Sequence, residues 1–124
     1  MSKPILCLDF DGVIHSYTSG WKGADEIPDP PVPGAIDFIE RALDHFKVMI
    51  YSSRSGQPDG IYAMRKWLRQ HWLAAGLPGD RELEIEWPVQ KPAAFITIDD
   101  RVFLFTGTWP DMQTLLDFKP WNKK

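Results

Sequence analysis

Residues 5–13 read Ile-Leu-Cys-Leu-Asp-Phe-Asp-Gly-Val. Four apolar residues run straight into two aspartates that flank one phenylalanine, and a glycine follows. A short apolar run that ends abruptly in charge has the pattern of a buried parallel strand. If the strand continues through them, alternation puts Asp9 and Asp11 on one face. If it breaks into a loop there, Gly12 supplies the freedom to turn. Two carboxylates at the C-terminal mouth of a strand are costly unless something pairs with them. A divalent cation is the natural partner, since ligands of open α/β sheets bind at that edge. The plainer reading of the same residues is a strand that ends in an acidic turn.

The rest of the chain alternates between strand and helix patterns. Residues 34–46 carry Ile36, Ile39, Leu43 and Phe46 at helical spacing behind Pro33, a good helix-start residue. Residues 47–51 form a second short apolar run, ending in Ser52-Ser53-Arg54-Ser55-Gly56. Residues 58–75 are the longest helical pattern, with a stripe of Ile61, Met64, Leu68, Trp72 and Ala75 and with Gly76 placed to end it. Arg65, Lys66 and Arg69 lie on its polar side, a basic strip that reads as a solvated face before it reads as a polyanion site. Residues 83–87 alternate as an edge strand does, 95–98 form a third buried run ending in Asp99-Asp100, and 102–105 suit one more strand. Residues 110–118 make a closing helix. Such alternation predicts an α/β fold built of parallel βαβ units, with both faces of the sheet covered. It gathers Asp9/Asp11, Ser52/Ser53 and Asp99/Asp100, all at strand C-termini, along one edge.

Two connecting stretches stand out. Residues 14–23 contain short β-prone pieces between glycines and predict a small hairpin or flap leaving the acidic site. His15, Tyr17, Trp21 and Lys22 on it are candidates for touching a substrate, or else cover the core. Residues 27–33 hold four prolines and predict a stiff extended strut.

Length and composition bound the answer. The 124 residues suit a single domain, 1–124, with no internal boundary or repeat. The net charge of −3 gives no global electrostatic case for nucleic acid or anionic membrane. A single cysteine, Cys7, excludes an internal disulfide and reads as a buried, inert thiol. Only four apolar residues precede Asp9, too few for a signal peptide or a spanning helix, so the expectation is a cytoplasmic protein with no membrane partner.

Assembled, the sheet edge offers two acidic clusters, hydroxyls and the ammonium of Lys91. The acids suit Mg²⁺, a hard cation that takes oxygen ligands. Hydroxyls, turn amides and an ammonium are the donors that a phosphoryl group takes. One carboxylate can attack phosphorus while a second moves a proton. The chemistry that these groups suggest is phosphoryl transfer through an aspartyl phosphate.

These residues resemble the four motifs of the haloacid dehalogenase (HAD) superfamily: Asp9-x-Asp11-x-Val13, then Ser52 after the second strand, then Lys91, then Asp99-Asp100. All four stand in the family's order, and the resemblance runs from residue 5 to 105. It implies a Rossmann-like three-layer sandwich whose mostly parallel sheet has strand order 3-2-1-4-5, and a Mg²⁺-dependent phosphomonoester hydrolase. It implies that Asp9 is nucleophile and metal ligand. Asp11 would be general acid/base and would bind metal through its carbonyl. Ser52 would hydrogen-bond the phosphoryl oxygens, with Ser53, Arg54 and His15 as further substrate contacts, and Lys91 would offset charge. Asp99 and Asp100 would complete the metal site. An aspartate two residues after the nucleophile is similar to the phosphatase branches and unlike the dehalogenases. Neither 14–33 nor 74–82 is long enough to fold as a cap domain, which implies a capless member with an open site. The phosphorylated substrate is then a small molecule or the end of a nucleic acid.

Two other readings compete. Response-regulator receivers are also short α/β, Mg²⁺-binding phosphoacceptors, but they place an acidic pair first and the lysine last; here Lys91 precedes Asp99-Asp100. A non-catalytic module that accepts phosphate or binds phosphorylated ligands without turnover keeps the same residues.

Overall fold

The computed structural model describes residues 2–123. Strand β1, Ile5–Leu8, is the centre of a three-strand parallel sheet of order β2-β1-β3, with β2 at Lys47–Ile50 and β3 at Ile96–Ile98. Leu6 stands beside Val48 and Ile96, and Leu8 beside Ile50 and Ile98. The uncharged stretch 5–8 is what a central strand requires, since both its faces are covered; Leu6, Cys7 and Leu8 are all buried.

Helix α1 spans Ala35–Ala42 and α2 spans Gly60–Ala74; α3 is a single turn at Gly79–Glu82 and α4 lies at Met112–Leu116. Ile36 and Ile39 of α1 and Met64, Leu68 and Trp72 of α2 join Leu6, Leu8, Val48 and Ile50 in one apolar cluster. Removing a side chain as large as Leu8 or Leu68 from that cluster costs about 2–5 kcal/mol. Trp67, on the side of α2 that the apolar stripe omits, is buried as well. Gly76, at φ +80°, ends α2 as expected: its N–H reaches the Leu73 carbonyl at 3.0 Å while Leu77 N–H reaches that of Trp72 at 3.3 Å. Helix α1 stops at Ala42, short of the expected 46, and Phe46 closes the following turn on the Ala42 carbonyl at 2.8 Å.

The sheet differs from the five-strand expectation. Residues 83–87 contribute only a bridge, Glu86 beside Met49, held by Ile50 N–H to Glu86 carbonyl and Glu86 N–H to Val48 carbonyl at 3.0 Å each. That bridge lies on the side of β2 where the third strand of the order belongs. The fifth position is not filled. Residues 102–105 form no strand and are exposed. Only residues 99–101 separate them from β3, and a parallel neighbour needs a crossover of about a dozen residues. The closing helix shrinks to α4, which buries none of its residues.

Residues 14–23 do not form a hairpin of their own. They pair with the proline strut instead: Ser16 N–H donates to the Pro30 carbonyl at 2.9 Å and Val32 N–H to that of Ile14 at 2.8 Å. A hairpin would need its return strand within 17–23, which glycines and a left-handed Tyr17 interrupt. Among the described residues, no helix is long and apolar enough to cross a membrane.

Candidate functional site

Because β1, β2 and β3 are parallel, Asp9, Ser52 and Asp99 emerge at the same sheet edge. Asp9, Ser52, Ser53, Lys91 and Asp99, together with Cys7, line one cavity of about 210 Å³. The sequence reading brought these five together, and the topology does so too. Cys7 is buried, and burial pushes its thiol up, which keeps it protonated at neutral pH.

The acidic residues divide into two sets. Asp9, Asp99 and Asp100 offer carboxylate oxygens that all lie within 4.8 Å of one another. Burial pushes Asp9 up to about 8, helped by a hydrogen bond that its protonated form donates to Asp100 and by the charge of Asp99, against the opposing Phe10 N–H. Asp100 Oδ1 is buried and has no hydrogen-bond partner. Gly12 fits against the same carboxylate: at φ +82°, it is where a Cβ would run into Asp100. On the other side, Trp121 Nε1 donates to the Gly12 carbonyl at 2.8 Å and pins the turn. The set is all oxygen and leaves one buried oxygen unpartnered, the donor chemistry that a hard divalent cation takes.

Asp11 belongs elsewhere. Arg54 Nε donates to its Oδ2 at 2.9 Å and Arg54 Nη2 to its Oδ1 at 3.1 Å. His15 Nδ1 lies 2.9 Å from the same Oδ1, and His15 Nε2 accepts the Asp29 N–H at 3.1 Å, so the ring proton is the one donated to Asp11. Burial alone would raise the Asp11 carboxyl, but the hydrogen bonds from His15 and Arg54 hold it below the usual range.

His15 and Arg54 are therefore not where a substrate contact would put them. Both are fully buried. Arg54 Nη1 donates to the carbonyls of Gly23, Ala24 and Glu26 at 2.8, 3.0 and 3.1 Å, and the Trp21 ring stacks 4.8 Å from its guanidinium carbon. The residue thus fastens the 21–26 loop to the sheet edge. A guanidinium forced into the interior needs partners for its donors, and here each of its three nitrogens has one, from backbone carbonyls or the Asp11 carboxylate.

Ser52 Oγ accepts the Arg54 N–H at 3.1 Å, which leaves its O–H to donate. Ser53 and Lys91 are exposed, Lys91 on an irregular stretch. Two residues of this region escaped the sequence reading. Asp29 caps Ser19 through N–H and Oγ at 2.8 and 2.6 Å, and Trp67 Nε1 donates to the Asp29 carbonyl at 3.1 Å. A lone aspartate among prolines carries no signal for that role.

No family model, curated protein or solved structure matches the chain.

Proposed function

We propose that this chain is a capless relative of the HAD phosphatases: a Mg²⁺-dependent phosphomonoester hydrolase that works through an aspartyl phosphate on Asp9. The observation that carries the reading is the shared cavity. Asp9 and Asp99 line it beside a hydroxyl and an ammonium, and Asp100, with its orphaned buried oxygen, crowds the same two carboxylates. Asp9, Asp99 and Asp100 would hold Mg²⁺, which supplies positive charge against the phosphoryl oxygens. A carboxylate oxygen of Asp9 attacks phosphorus, an Asp–O–P bond forms, and the bond to the leaving oxygen breaks. Ser52 donates its O–H to the transferred group and Lys91 offsets its charge. Water then cleaves the acyl phosphate, which restores Asp9 and releases phosphate.

The five-strand order of that family is not needed for this chemistry, since the three parallel strands already bring the groups to one edge. The substrate is a small phosphomonoester or the phosphorylated end of a polynucleotide, and a panel of both separates the two. The test of the reaction is incubation with Mg²⁺ and 4-nitrophenyl phosphate, with rapid quenching and mass mapping of the label. Phosphate on Asp9 with steady turnover is expected; a label on Asp99 or Asp100, or no transfer at all, refutes the reading.

One observation favours a second reading, a phosphoacceptor without turnover. The Asp11 carboxyl is committed to Arg54 and His15 and held low, the opposite of what a proton donor at neutral pH requires. In that case nitrophenol release stops at one equivalent per chain.

A further inference from the structure

Almost nothing from residue 101 to 119 is buried. Thirteen large apolar residues between Phe95 and Trp121 are each 39–83% exposed, among them Phe95, Leu104, Trp109 and Leu116. At about 150 Å² per large side chain, this is on the order of 1,000 Å² of apolar surface. A typical monomer exposes a largest patch of only about 300–600 Å². A stable interface takes about 800 Å² from each partner. Summed over this segment, the apolar surface exposed is of the size that one half of a dimer interface buries.

The backbone is unfinished in the same place. β3 pairs with β1 alone, so its outer edge offers free N–H and C=O groups. The natural filler is the Val-Phe-Leu-Phe run at 102–105, which is β-prone and pairs with nothing. It cannot reach that edge within its own chain. A parallel arrangement needs about a dozen connecting residues, and only 99–101 are available. An antiparallel hairpin would use 99–101 as its loop. Those residues are tied down otherwise: Asp99 and Asp100 sit in the carboxylate cluster with Asp9, and Arg101 N–H is bonded to Asp99 Oδ1 at 2.8 Å.

We propose that a second copy of this chain covers this surface, each copy laying its 102–105 segment along the free edge of β3 of the other. The exchange is reciprocal, so the same patch serves on both sides and the assembly closes as a two-fold dimer. The proposal does not depend on any reaction at the site.

Sedimentation and light scattering of the full chain from 1 to 100 µM test it. The expected species has twice the 14.2 kDa chain mass. Leu104→Glu and Phe95→Glu, both at exposed positions, should each return the mass to one chain with an unchanged far-ultraviolet spectrum. A wild-type protein that stays at one chain mass at 100 µM overturns the proposal. So does a polydisperse, open-ended series, or a pair that both variants leave intact.

Discussion

Arg54 and Asp11 meet side on, Nε to Oδ2 at 2.9 Å and Nη2 to Oδ1 at 3.1 Å, with the guanidinium fully buried. Two residues away, Asp9 faces two other carboxylates and, among the described residues, forms no salt bridge. One Asp-x-Asp motif thus holds two carboxyls in opposite environments, Asp9 pushed up to about 8 and Asp11 held low. Environment rather than residue type separates the two carboxyls.

Loss of the Arg54 clasp should be costly. Arg54→Ala leaves the partly buried Asp11 charge with His15 alone and frees three carbonyls, so a loss of about 3 kcal/mol is expected in urea unfolding. Arg54→Lys should recover little of it, because an ammonium cannot bridge both carboxylate oxygens and three carbonyls at once. A lysine variant with wild-type stability would show that charge alone holds the loop.

Mg²⁺ affinity should rise with pH. A proton on Asp9 competes with the cation, so affinity increases by up to about tenfold per pH unit until it levels near pH 8. Calorimetry in buffers of different ionisation enthalpy should record proton release on binding. Metal-free protein should run the other way. Asp9 titrates higher folded than unfolded, so its contribution is present in full below about pH 4 and is lost as pH rises towards 8. Asp9→Asn should flatten that decline. Affinity that is constant from pH 6 to 9 contradicts this account.

Gly12→Ala should uncouple the site from the fold. The residue sits at φ +82°, where alanine is strained, and its Cβ would displace the Asp100 carboxylate. At least tenfold weaker Mg²⁺ binding is expected, with unfolding shifted by about 1 kcal/mol or more. Binding at wild-type strength in a folded Gly12→Ala protein would remove Asp100 from the ligand set.

Ser52→Ala and Lys91→Ala should each lower turnover of an aryl phosphate by about 10²–10³ while the protein stays folded. Lys91 is exposed and its loss removes no core packing; Ser52 loses one hydroxyl. A Lys91→Ala variant that turns over at a near-normal rate would leave the phosphoryl charge to another group.

Much of this protein was determined locally, in residues whose pattern has one economical structure. The apolar run 5–8 before two aspartates could only be a covered strand. The stripe of Met64, Leu68 and Trp72 with Gly76 behind it defines α2 and its end. Parallel strands then send Asp9, Ser52 and Asp99 to one edge whatever the loops do. Tertiary structure alone decided the rest, because it depends on which side chains meet across long separations. Arg54 and His15 carry no local sign that they are buried, since an arginine in a polar run reads as exposed until Asp11 and the 23–26 carbonyls surround it. Residues 102–105 have the composition of a strand, but a strand needs a neighbour, and the three residues after β3 are too few, and too committed to the carboxylate cluster, to bring it one from the same chain.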